Sequence, residues 1–281
     1  MSTVTAREAA DVRRANESGG RPVVFVHGLW LLAESWQQWR NLFEERGFTT
    51  VAVDWPGDPA SVEGARSDPD ALAGKGVAEV ADHIEEVVRT LDREPIMIGH
   101  SFGGLLVQII AGRGLAAGTV AIDPAPGRGV LPLPLPALRA SFPVLRNPLN
   151  RRRAVTLTYD QFRYAFANAL PDAEAKALYG RHHVAAPGLP IFQAAAANLN
   201  PASPTKTDVR NPERGPLLVV SGDNDHTVPR ALSHAAYKRQ RRNAAATELA
   251  EIPNRGHSLV LDSGWAEVAE TALKFLDSQG L

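Results

Sequence analysis

The chain has 281 residues, 44% of them hydrophobic and 22% charged, with a formal net charge of −1. That size and composition suit a soluble globular protein with one large domain, and the near-zero charge singles out neither nucleic acid nor an anionic membrane as a partner. The chain has no cysteine, which excludes disulfides, thiolate nucleophiles and zinc–sulfur sites together.

Residues 1–20 mix acidic and basic side chains without an apolar centre, unlike a secretory leader. No apolar run approaches membrane-spanning length, so a cytoplasmic location is expected. Residues 5–17 form a short amphipathic pattern consistent with a helix. Pro22–Val26 is a short, unpatterned, β-branched run that reads as a strand buried on both faces, ending at His27-Gly28. A helix follows from Trp36 to Arg46, stopped by Gly47, and then a strand over 49–53 ending at Asp54. Residues 57–69 are dense in Gly, Pro, Ser and Asp and read as a loop. Helical spacing of Val77, Val80, Ile84, Val87 and Leu91 predicts a helix over 76–91.

Next come a strand at Ile96–Ile98 and a buried helix over 105–111, joined by Gly99-His100-Ser101-Phe102-Gly103-Gly104. A strand over 119–122 ends at Asp123. Four further elements close the chain: a strand over 217–220 with a helix over 229–240, a strand over 248–252, and a helix over 265–276. Six short apolar strands alternating with helices predict an α/β fold, a mostly parallel sheet covered on both faces.

Residues 124–215 interrupt the alternation. The segment opens with seven prolines between Pro124 and Pro148 and continues with helical patterns and no strand. It is too long for a loop and reads as an inserted helical cap. The division expected is therefore a core of 1–123 and 216–281 with a cap of 124–215.

Ligands bind at the carboxyl ends of strands in open α/β sheets. The polar residues there are His27, Asp54, Ser101, Asp123, Asp223, Asp225 and His257. Gly99 and Gly103 flank Ser101 at a turn so tight that side chains would collide. The serine is held exposed at a helix N-terminus in a G-x-S-x-G nucleophile elbow. A serine hydroxyl needs a base, and the base needs an orienting group. His257 lies in a loop between the last strand and the last helix and follows the order Ser, Asp, His. His100 is expected to point away from Ser101 and to be structural. For the acid, Asp225 leads and Asp123 is the rival, with Asp223 closing the turn. The backbone N–H groups of Leu29 and Phe102 are expected to bind a developing oxyanion, with Gly28 permitting the turn.

The stretches "VVFVHGLW", "GHSFGG", "SGDNDHTVP" and "NRGHSLVLD", in this order, resemble the α/β-hydrolase superfamily in its serine-nucleophile branch. The resemblance covers residues 22–279. It implies an α/β-hydrolase fold and a Ser101–His257–Asp225 triad, an oxyanion hole at Leu29 and Phe102, and a cap near 124–215. The chain departs from the pattern at its N-terminus, where a helix stands in place of the two strands that usually precede the first motif.

The activity expected is serine hydrolysis of a small-molecule carboxylic ester through an acyl-enzyme. On the same fold, cofactor-free haloperoxidase, perhydrolase or hydroxynitrile-lyase chemistry is the alternative, and a non-catalytic ligand-binding protein is the alternative of another class. Trp30, Phe142, Phe162 and Phe166 are expected to line the substrate pocket, with Leu131, Leu133 and Leu135 as further apolar candidates. No metal-ligand spacing, phosphate loop or dinucleotide motif occurs, so no metal and no cofactor is expected. The basic clusters, Arg151-Arg152-Arg153 among them, read as solvated faces.

Overall fold

The computed structural model describes residues 4–281; the first three residues of the N-terminal stretch read above lie outside the described residues. Helix α1 (Ala6–Ser18) starts on a capping box. The Thr5 hydroxyl accepts the Glu8 N–H at 3.2 Å, and the Glu8 carboxylate accepts the Thr5 N–H at 2.7 Å. It stops at Gly19, whose φ of 64° is left-handed. Next in the chain are β1 (Pro22–Val26), α2 (Gln37–Glu45), β2 (Thr49–Val53), α3 (Val62–Ser67), α4 (Val77–Val88), β3 (Ile96–His100), α5 (Phe102–Gly112) and β4 (Gly118–Ile122).

The segment after β4 holds α6 (Leu135–Leu145), β5 (Ala154–Val155), α7 (Tyr159–Ala165), α8 (Asp172–His182), β6 (Ala186–Pro187) and α9 (Leu189–Ala195). The chain then returns to β7 (Leu217–Gly222), α10 (Arg230–Gln240), β8 (Thr247–Ile252) and α11 (Trp265–Ser278).

Six strands form one sheet in the order β2-β1-β3-β4-β7-β8, every neighbouring pair parallel. All residues of β1, β3, β4 and β7 are buried, which is why their sequences are apolar without alternation. The strand period of two still sorts the core into halves. Val23 and Phe25 face a layer with Trp36, Trp39, Phe43 and α11. Val24 and Val26 face the opposite layer with Met97, α4 and α5. The chain order reverses at β1, which pairs with β2 on one side and β3 on the other. This is the switch point where α/β sheets open a crevice.

In place of strands before β1, α1 packs against the edge strand β2, and Arg14 donates to the Thr50 carbonyl at 3.1 Å. Two details depart from the sequence reading. The supposed loop 57–69 contains α3, because Ser61 caps it by accepting the Gly64 N–H at 3.1 Å. The insertion, read as strandless, contains β5 and β6 paired antiparallel; two residues on each side are too few to show alternation. Among the described residues no helix is long and apolar enough to cross a membrane.

Candidate active site

Ser101 joins β3 to α5 with φ 57° and ψ −120°, a left-handed conformation that is costly for a residue with a side chain. Its surroundings enforce it. The Ser101 N–H donates to the Ile122 carbonyl at 2.9 Å, and its carbonyl accepts from Ala125 at 2.9 Å and Leu105 at 3.1 Å. A Cβ on Gly103 would be driven into the carbonyl of Val26, and one on Gly99 into the carbonyl of Gly103. The glycines allow strand and helix to meet, and the turn lifts the serine hydroxyl above the sheet.

His257 follows β8, and its Nε2 lies 2.9 Å from Ser101 Oγ. Its Nδ1 lies 2.6 Å from Asp225 Oδ2. The other carboxylate oxygen of Asp225 accepts the N–H groups of Thr227 at 2.6 Å and Val228 at 2.9 Å. All three residues are buried. Since a carboxylate only accepts, Nδ1 carries the proton and Nε2 accepts from the serine. Burial would raise the Asp225 carboxyl, but the electrostatic pull of His257 and the hydrogen bonds the carboxylate receives outweigh it and hold the group below the usual carboxylate range.

Asp123 stands beside this chain rather than in it. It ends β4 at φ 38°, and one carboxyl oxygen accepts the Gly222 N–H at 2.9 Å. Its carboxyl, that of Asp225 and the His257 ring offer atoms all within 4.8 Å of one another. Burial, the adjacent Asp225 charge and a hydrogen bond with Asp225 push the Asp123 carboxyl well above its ordinary range. Asp223 donates its N–H to the Ile252 carbonyl at 3.2 Å and serves the turn.

At the end of β1, Gly28 lies under Ser101: a Cβ there would come within 2.7 Å of Ser101 Cβ. His27 Nδ1 lies 2.9 Å from the Gly28 carbonyl oxygen, and Nε2 lies 2.9 Å from Asp58 Oδ2. Asp58 Oδ2 also accepts the Trp55 N–H at 2.8 Å. Burial would lower the His27 pKa, but the Asp58 charge and hydrogen bond raise it overall. The Gly28 carbonyl and the Leu29 N–H share one peptide plane, so this histidine fixes the direction in which the Leu29 N–H points. Phe102, the other residue expected to donate, starts α5 directly after the serine.

The insertion reaches the site through Phe166, whose ring stands edge-on to His257 with centroids 5.3 Å apart. It also grips the Asp225 loop. Thr227 donates to the Ala165 carbonyl at 2.6 Å, and Asn168 donates to the Asn224 carbonyl at 2.7 Å. Phe162 is buried one layer back, against Phe166, Tyr179 and His183. Trp30, at φ 65°, donates its indole N–H to the Val155 carbonyl at 2.9 Å and so ties β1 to the insertion.

Two expectations need correction. Phe142 does not line a pocket over the serine, because it is 60% exposed. In α6 the buried positions are Ala140 and Val144, on the side of the helix opposite Leu135, Leu138 and Phe142. Leu131, Leu133 and Leu135 are likewise exposed. His100, expected to be structural, is buried with its ring packed on that of His257, centroids 4.6 Å apart, and burial holds its pKa well below the usual value. Sequence reasoning also missed Asp58. The only signal was a second acid four residues after Asp54, in a loop facing the first strand's end.

Residues 23–271 match the profile of the Alpha/beta hydrolase family, and the chain belongs to that family. Among solved structures, the monoacylglycerol lipase of Paleococcus ferrophilus superposes with a TM-score of 0.65 at 20% identity, over 92% of this chain and 96% of that one. A thermophilic esterase from Thermogutta terrifontis superposes with a TM-score of 0.63 at 18% identity, over 92% and 90%. In sequence, a non-heme haloperoxidase of Rhodococcus erythropolis is 30% identical over 105 residues, 37% of this chain and 36% of the relative. The chain thus spans about a third of the length of the curated relatives it matches.

Proposed function

We infer that this hydrolase cleaves carboxylic esters by a Ser101–His257–Asp225 triad through an acyl-enzyme. The observation that carries the reading is the unbroken chain of hydrogen bonds from Asp225 through His257 to Ser101, at 2.6 and 2.9 Å. Ser101 Oγ attacks the ester carbonyl while His257 Nε2 takes its proton. Asp225 holds the ring in the tautomer that leaves Nε2 free to do so, and stabilises the imidazolium that forms. The tetrahedral oxyanion is met by the N–H groups of Leu29 and Phe102. His257 then protonates the departing alkoxide, and water repeats the sequence to release the acid. The insertion 124–215 acts as the cap over this site, with Phe166 excluding water from the imidazole.

Purified protein mixed with a p-nitrophenyl ester should release a burst of nitrophenol equivalent to one acyl group per chain. A fluorophosphonate should label Ser101, and Ser101→Ala should abolish both signals. Full labelling of the variant overturns the assignment, and ester binding without a burst supports a ligand-binding protein instead. The partial likeness to the haloperoxidases favours peroxide-dependent halogenation as a second reading. It predicts that, with peroxide and bromide in a carboxylic-acid buffer, a dye is brominated by the parent but not by Ser101→Ala.

A further inference from the structure

All the large hydrophobic side chains that stand exposed among the described residues lie on the insertion. Leu131, Leu133, Leu135, Leu138 and Phe142 fall in one stretch of chain, between 42% and 80% exposed, and Leu149 and Leu199 flank it. In 131–135 the leucines alternate with prolines. In α6, Leu135, Leu138 and Phe142 share one stripe while Ala140 and Val144 face inward. Leu199 joins the stretch because its neighbour Asn198 bonds both the Gly129 N–H at 2.6 Å and the Val130 carbonyl at 2.8 Å. Scattered exposed leucines are ordinary, but a concentration of this kind marks an interaction surface.

Charge identifies what it meets. The two stretches that carry the exposed apolar residues, 124–159 and 183–207, contain Arg128, Arg139, Arg146, Arg151-Arg152-Arg153 and Lys206. Every one of the 31 acidic residues lies elsewhere. All of these cations but Arg128 are exposed. The net charge of −1 therefore conceals a basic, apolar face. An apolar stripe with a cationic border matches the boundary of an anionic bilayer, where leucine and phenylalanine enter the acyl region and arginines meet phosphates. α6 also packs on α7, whose following residue Phe166 touches His257, so this face lies one helix away from the triad.

We propose that the outer face of the insertion, from Leu131 to Arg153 with Leu199, docks the protein on the surface of an anionic phospholipid bilayer. This holds whether or not the triad cleaves esters, and its test reads binding rather than turnover.

Sedimentation with vesicles of phosphatidylcholine alone and of phosphatidylcholine mixed with phosphatidylglycerol provides the test. Partitioning should be at least about tenfold stronger on the anionic vesicles and should weaken as salt is added. The double variant Leu133→Glu/Leu135→Glu and the triple variant Arg151→Glu/Arg152→Glu/Arg153→Glu should each lose most of it. Both should keep the parent's melting temperature and its turnover of a soluble p-nitrophenyl ester, since these side chains are exposed. Equal partitioning onto both vesicles, or binding untouched by either variant, overturns the proposal. So does a concentration-dependent dimer that Leu133→Glu/Leu135→Glu dissolves, without vesicle binding by the parent; a second copy is then the occupant of this face.

Discussion

His27 and Asp58 form a buried pair, Nε2 to Oδ2 at 2.9 Å, both side chains almost inaccessible to water. The other ring nitrogen faces the Gly28 carbonyl, which can only accept. The ring therefore donates from both nitrogens and is held as an imidazolium. It pins and polarises the peptide whose N–H, on Leu29, is read as an oxyanion donor. Removing one such donor outright typically costs about 10² to 10³ in kcat. His27→Ala, which loosens the donor without deleting it, should lower kcat by about 10 to 10² with little change in KM.

The same pair has a pH consequence. Asp58 raises the His27 pKa against burial, so its contribution is fully present below the unfolded histidine value and is lost as pH rises through the folded one. Loss of that proton should appear as a fall in kcat on the alkaline side. Asp58→Asn removes the charge, lowers the His27 pKa and should move this alkaline limb to lower pH. A pH–rate profile checks it, and an unmoved limb shows that His27 does not govern the donor.

Asp123 gives a third prediction. Burial and the Asp225 charge oppose ionisation of its carboxyl and push it well above its ordinary range. The folded state thus keeps a proton that the unfolded chain releases near its ordinary value of 3.8. This favours the fold fully below that pH and is lost progressively as pH rises toward the folded value. Asp123→Asn keeps the shape, an acceptor for Gly222 and a donor for Asp225, and asparagine tolerates the positive φ. The melting temperature of Asp123→Asn relative to the parent should therefore increase from pH 4 to pH 8, with activity within about tenfold. Asp123→Ala leaves the Gly222 N–H unpaired and should cost about 1–3 kcal/mol. A pH-independent difference for the Asn variant would show that Asp123 is ionised.

The strands and the elbow were legible in the sequence because each is a local signal. Buried parallel strands are continuous apolar runs, and a serine between glycines has few other uses after such a strand. The role of Asp58 was not legible, since it acts on the site across a long stretch of chain; Phe166 was named for the pocket only as one apolar residue of the insertion among several. Phe142 and the proline-spaced leucines misled because apolarity alone does not say which side of a helix faces inward. In α6 that direction is set by Ala140 and Val144, small residues that allow close packing and carry little signal themselves.

Gly103 tests how tightly the elbow is built. A methyl group there would overlap the Val26 carbonyl, an atom of a central strand that cannot yield without disturbing β1. Gly103→Ala should destabilise the protein by about 3 kcal/mol or more, the upper part of the range for overpacking. Gly180, exposed in α8 with open space where a Cβ would stand, is the control. Gly180→Ala should stabilise by about 0.4–1 kcal/mol. Denaturant unfolding of both variants measures the contrast, and similar stabilities would mean that strand and helix can separate at the elbow.

The final prediction concerns the acid. Asp225 and Asp123 both end near His257, but only Asp225 faces its Nδ1, at 2.6 Å. In Asp225→Asn the side-chain carbonyl can still accept from Thr227 and Val228, so the loop keeps its hydrogen bonds. The amide then presents N–H to the histidine, and Nδ1 must become the acceptor. The proton moves to Nε2, which can no longer take the proton of Ser101. Ser101, the N–H groups of Leu29 and Phe102 and the shape of the site all survive, and only the tautomer is wrong. kcat should fall by about 10⁴, and above the residue of activity left in Ser101→Ala a slow rate should persist. Circular dichroism should show the parent's fold. Ester turnover of Asp225→Asn and Asp123→Asn, measured side by side, decides the role: a crippled Asp123→Asn beside an active Asp225→Asn would place the orienting acid at the end of β4 instead.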